Sequence, residues 1–121
     1  MANPNILTSS QITGNIERGA LTTGLADMLS NGVGTGIVYK VVSILLSNSH
    51  GAATANASIQ ISEDDNGNVT TLCKSLNIPY TAAVILIDKN SPLYIMEDMK
   101  IRGMASANSH IDFHITYEKI S

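Results

Sequence analysis

Tryptophan is absent from this sequence, phenylalanine and cysteine occur once each, proline three times, and charged residues make up only 14%. Each shortage excludes something. Cys73, alone, allows no intrachain disulfide and no cysteine-based metal site, and its expected place is in the interior as a small apolar side chain. Seven basic residues against ten acidic ones, a net charge of −3, give no cationic field to hold a phosphate backbone, so no nucleic-acid partner is expected. No apolar run reaches the roughly 18 residues that cross a bilayer. The longest, Ile37 to Leu46, is broken by Lys40 and Ser43, so no membrane partner is expected. Met1-Ala2-Asn3-Pro4-Asn5 lacks the basic start and apolar block of a secretory leader, which predicts a soluble chain made in the cytoplasm.

In place of charge the chain carries 13 Ser, 10 Thr and 11 Asn among 121 residues, the composition of a turn-rich β domain of ordinary single-domain size. Period-two alternation dominates from the middle onward. Ala57, Ile59 and Ile61 alternate with polar neighbours, and Ile111, Phe113, Ile115 and Tyr117 share one face opposite His110, Asp112, His114, Thr116 and Glu118. Ile37 to Ser47 and Ala82 to Ile87 are apolar on both faces and read as central strands covered on both sides.

Turn signals at 8 to 12 residue spacing predict an all-β fold, a single antiparallel β-sandwich of about eight strands, jelly-roll or other Greek-key. The strands fall near 12–21, 25–30, 37–47, 56–63, 69–76, 82–88, 93–96 with 99–105, and 110–119. Residues 1–11 read as an extended N-terminal arm and 12–121 as the sandwich. The arm's Asn3, Pro4, Asn5, Ile6, Leu7, Thr8, Ser9, Ser10 and Gln11 are the expected interface with a neighbouring subunit, with Ile6 and Leu7 as apolar anchors.

Three motifs invite chemistry. Asp64-Asp65-Asn66-Gly67-Asn68 offers oxygen ligands, but an EF-hand counted from Asp64 needs Gly and Glu where Val69 and Ser75 stand, so an Asn-Gly type I′ hairpin is expected. Gly32-Val33-Gly34-Thr35-Gly36 has a phosphate loop's glycines without its helix or its Lys-Ser/Thr, and reads as a flexible loop. His110, Asp112 and His114 share one face of one strand, yet at roughly 3.4 Å per residue the two histidines stand about 13–14 Å apart, too far for one ion. Only an oligomer axis would bring copies together. With no nucleophile elbow and no activated Cys-His pair, no catalytic residue, metal or cofactor is expected and the chain does not read as an enzyme. The sequons at Asn56 and Asn68 are coincidental in a chain without a leader.

Val84-Ile85-Leu86-Ile87-Asp88-Lys89-Asn90-Ser91-Pro92-Leu93-Tyr94-Ile95, the acidic turn Glu97-Asp98, Ile101-Arg102, Ala105-Ser106-Ala107-Asn108 and the closing Ile115-Thr116-Tyr117-Glu118-Lys119-Ile120-Ser121, with Val38-Tyr39-Lys40-Val41 and Ser47-Asn48, resemble small virion structural proteins of tailed bacteriophages, especially marine and cyanobacterial ones. The resemblance implies a β-sandwich displayed many times on the particle, most often as a head decoration or cement protein. Its implied partners are the major capsid protein and copies of itself, as a homotrimer suited to threefold positions. It transfers no functional residue. A tail, baseplate or fibre component and a carbohydrate-binding module are the alternatives, and the scarcity of aromatics weighs against sugar stacking.

Overall fold

The computed structural model describes residues 12–63 and 67–121. The expected arm and its interface residues Asn3 to Gln11 lie outside the described residues, as do Asp64, Asp65 and Asn66. The described residues form nine antiparallel strands and no helix: β1 (Ile12–Ala20), β2 (Ala26–Asn31), β3 (Val38–Asn48), β4 (Ala55–Glu63), β5 (Asn68–Ile78), β6 (Ala83–Ile87), β7 (Leu93–Ile95), β8 (Met99–Ala105) and β9 (Ile111–Ile120). The expected strand at 93–96 with 99–105 is two strands in different sheets. Between them Asp98 takes a left-handed φ of 62°, which breaks the extended path and carries the chain across the sandwich.

One sheet has the order β1-β9-β3-β6, with β7 also on β3, and the other β2-β8-β4-β5. With β6 and β7 together filling one place, this is the strand order of a jelly roll, which settles the choice left open among Greek-key sandwiches. β4 and β5 form the one hairpin joined inside the second sheet, with Glu63 opposite Asn68. That register leaves four residues in the loop, where a two-residue turn at Asn66-Gly67 would have set residue 65 against Asn68.

Bulges explain why apolar residues come in adjacent pairs. An extra residue at Val42 shifts the β3 register, so Val41 and Ile44 both face inward although they are three apart. An extra residue at Met28 does the same in β2, burying Met28 and Leu29 together. The core between the sheets is built from Val41, Ile44 and Leu46 of β3, Ile111, Ile115 and Tyr117 of β9, Ile59 and Ile61 of β4, and Ile101 of β8. β3 is central, as expected. β6 is an edge strand, and its Ile85 is exposed, because among the described residues no further layer covers this part of the outer face.

Two buried asparagines fasten the loops at opposite ends. Asn31, at the end of β2, donates from Nδ2 to the carbonyls of Ile37 (2.7 Å) and Ile95 (3.1 Å), and its Oδ1 accepts from Thr35 Oγ1. Asn48, at the end of β3, donates to the carbonyls of Ala53 and Ile78, both at 2.9 Å, and accepts from the His50 amide. The glycine loop, expected to be flexible, is tied down. Gly34 and Gly36 take left-handed φ values of 74° and 66°, and the Gly36 amide donates to Glu97 Oε1 at 2.7 Å.

Candidate interaction surface

The two outer faces of the sandwich differ in chemistry. On the β1-β9-β3-β6 sheet, register places Arg18, His114, Leu45 and Ile85 in one row across four strands, with Ile16, Thr116 and Ser43 in the next. Ile85 is 67% exposed, Ile16 56% and Leu45 37%, and Ile12 and Tyr94 are exposed on the same face. The outer face of the other sheet carries charged and polar side chains around the exposed Val69 and Met104. There Asp27 Oδ1 accepts from Arg102 Nε at 3.0 Å, Asp27 lies 3.9 Å from Lys100, and Gln60 stands opposite Arg102 on the next strand. Such half-exposed ion pairs contribute little. Asp27→Ala is therefore expected to cost less than about 1 kcal/mol in urea denaturation.

β1 projects beyond the second sheet. Its inward-directed Thr13, Glu17 and Gly19 are exposed along with its outward Ile12 and Ile16, so the strand is wet on both faces and along its free edge. Sequence alternation misleads here, because the apolar Ile12 and Ile16 face outward while the polar Thr13, Asn15 and Glu17 take the inward side.

Between β1, β9 and β3 lies a shallow cleft of about 380 Å³ lined by Arg18, Gly19, Leu45, Ser47, Asp112, Phe113 and His114. The structure therefore brings Asp112 and His114 together on one outer face. It removes His110 from that set. The left-handed φ of 61° at Ser109 turns the chain before β9 begins, so His110 leaves the strand and its ring lies 4.1 Å from that of His50. His50 Nδ1 accepts from the amides of Ala52 and Ala53, both at 3.0 Å, which places the ring proton of a neutral His50 on Nε2. His50, sixty residues away in sequence, carried no signal for this pairing.

Cys73 lies half-buried on β5 with its Sγ 3.7 Å from the Ala57 carbonyl, and burial pushes its thiol up, away from the reactive thiolate. Among the described residues no group of three His, Cys, Asp or Glu side chains stands close enough to hold a metal ion. The geometry thus defines a jelly-roll β-sandwich with one apolar-studded sheet face beside an open strand edge. No protein-family model matches the chain, and no curated protein matches it significantly.

Proposed function

We propose that the chain is a virion structural protein, a capsid decoration protein of a tailed bacteriophage that binds the major capsid protein on the outside of the shell. The observation that carries this reading is the exposure of Ile85, Leu45, Ile16 and Tyr94 on the outer face of one sheet, where Leu45 and Ile85 stand opposite each other. Exposed apolar side chains that neighbour one another on a small domain mark a docking surface. A decoration protein joins many such modest contacts on a repeating lattice, and multivalency makes the sum strong. The jelly-roll order supports the reading as architecture only, because capsid domains share it with lectins and cupins. The resemblance of the strand and turn segments supplies the phage context.

In the purified particle, quantitative densitometry is expected to give copies in the hundreds, and reconstruction to place them on the capsid with the Ile85 face toward the shell. Ile85→Asp on an intact fold is expected to lower shell occupancy at least about tenfold, since an apolar anchor of this kind contributes 2 kcal/mol or more. Copies in small multiples of three or six at the tail would replace this reading with a tail or host-contact role. The cleft between Arg18, Asp112 and His114 favours that second reading, because it offers charged groups of both signs to a host ligand.

A further inference from the structure

β1 differs from every other sheet edge described here. β2 carries a bulge at Met28, β5 carries two where it pairs with β4, β6 carries one at Leu86, and β7 has only three residues. Bulges and short lengths are how sheet edges avoid pairing with other chains. β1 pairs with β9 through nine consecutive residues with no register shift, and it contains neither proline nor lysine, its one edge-guarding feature being the inward-directed charge of Glu17. It is long, regular and exposed on both faces, which makes it a template for another strand.

We propose that two copies of this chain pair antiparallel through their β1 edges, centred on Ile16, to form one eight-place sheet running through both sandwiches. The sequence of β1 selects that register. A twofold axis normal to the sheet requires opposed residues to share a face, so the full nine-residue overlap sets Ile16 against Ile16, Ile12 against Ala20, Gly14 against Arg18, and Asn15 against Glu17. Apolar residues meet apolar ones on the outer face, and each charge meets a neutral residue. Slipping by two residues in one direction sets Glu17 against Glu17. Slipping in the other sets Arg18 against Ile12, and either slip loses two residue pairs.

Nine pairs supply about eight to ten backbone hydrogen bonds, because alternate pairs exchange two. The pairing is isologous, so it closes at two copies and leaves no free β1 edge. It also lays the two outer faces side by side, with the paired Ile16 residues at the centre and the Leu45 and Ile85 of each copy on either flank, beyond Arg18 and His114. The proposal rests on sheet geometry and stands independently of the virion reading.

Sedimentation equilibrium of the full chain is expected to give twice the 12.8 kDa chain mass. Ile16→Lys, which sets two like charges against each other at an exposed position, is expected to weaken association at least about tenfold with the circular dichroism spectrum unchanged. In a Cys73→Ser background, Ile16→Cys is expected to form a covalent dimer on mild oxidation, because directly opposed residues of an antiparallel pair stand about 4.5–5.5 Å apart at Cα, within disulfide reach. Gly14→Cys, which faces Arg18, is expected to stay monomeric on the same gel. A monomeric wild-type chain, a trimer, an oligomer indifferent to Ile16→Lys, or equal cross-linking at positions 14 and 16 would each overturn the pairing.

Discussion

Asn48→Asp is expected to be among the most damaging single-atom exchanges in this protein. Asn48 is 1% exposed, and its amide nitrogen is the donor that the Ala53 and Ile78 carbonyls share. Alanine there leaves two carbonyls without that donor, at about 1–3 kcal/mol each, which is a large part of the roughly 5–15 kcal/mol that holds a domain together. Aspartate goes further. It replaces the donor with a carboxylate oxygen that faces two carbonyl oxygens, and only the His50 amide remains to serve it. Urea denaturation followed by circular dichroism is therefore expected to rank stability as wild type, then Asn48→Ala, then Asn48→Asp at neutral pH. Burial against carbonyls raises the folded-state pKa of the introduced carboxyl above its unfolded value. The protonated form is then the one the fold tolerates, so the deficit of Asn48→Asp shrinks as pH falls and grows as pH rises through that raised pKa. A deficit constant from pH 4 to pH 7 would show that the loop end opens to water.

Gly103 lies on β8 beneath inward-facing side chains of the flanking strands β2 and β4, and substitution there is expected to fail for the opposite reason, excess volume. A Cβ at this position would stand 2.5 Å from Met28 Sδ, 2.8 Å from Ile59 Cδ1 and 3.1 Å from Leu21 Cδ2. Three side chains from three elements would have to move at once. Gly103→Ala is expected to cost about 1–3 kcal/mol, a fall in Tm of about 4–12 °C at roughly 4 °C per kcal/mol. Gly103→Val, with two further methyl groups in the same space, is expected to cost more. Shortening Met28 removes the nearest atom, so Gly103→Ala with Met28→Ala is expected to be more stable than the sum of the two single losses. Strict additivity in that cycle would show that the sheets yield elsewhere.

How much of this was legible in advance depends on what alternation can encode. β4 and β9 were plain, because their inward Ala57, Ile59, Ile61 and Ile111, Ile115, Tyr117 alternate cleanly with wetter neighbours. β3 and β6 misled. Bulges at Val42 and Leu86 and outward-facing Leu45 and Ile85 produce the same apolar pairs that a strand buried on both faces would have. The apolar excess that was assigned to burial within the fold lies on its surface. β1 alternates the wrong way round, with Ile12 and Ile16 outward and Thr13, Asn15 and Glu17 inward, and the split between β7 and β8 depends on one left-handed residue, Asp98. The cleft was half visible, as Asp112 and His114 share a face by parity, whereas Arg18 joins them only through the pairing of the first strand with the last.

That last pairing has a consequence for the birth of the protein. β9 lies between β1 and β3, so the first sheet has a missing middle until residues 111–120 have been made. A nascent chain can zip β4 to β5 as a local hairpin, yet β1 has no partner and the inner faces of β3 and β2 have little to close against. Closing the first sheet must therefore wait for β9 and then join distant segments, the slow regime for β architectures. During that wait the regular β1 edge is exposed alongside unpaired strands, the state in which chains at high concentration capture one another. At high chain concentration, the timing of synthesis and the crowding of sister chains would decide the yield of closed sandwiches as much as their final stability does.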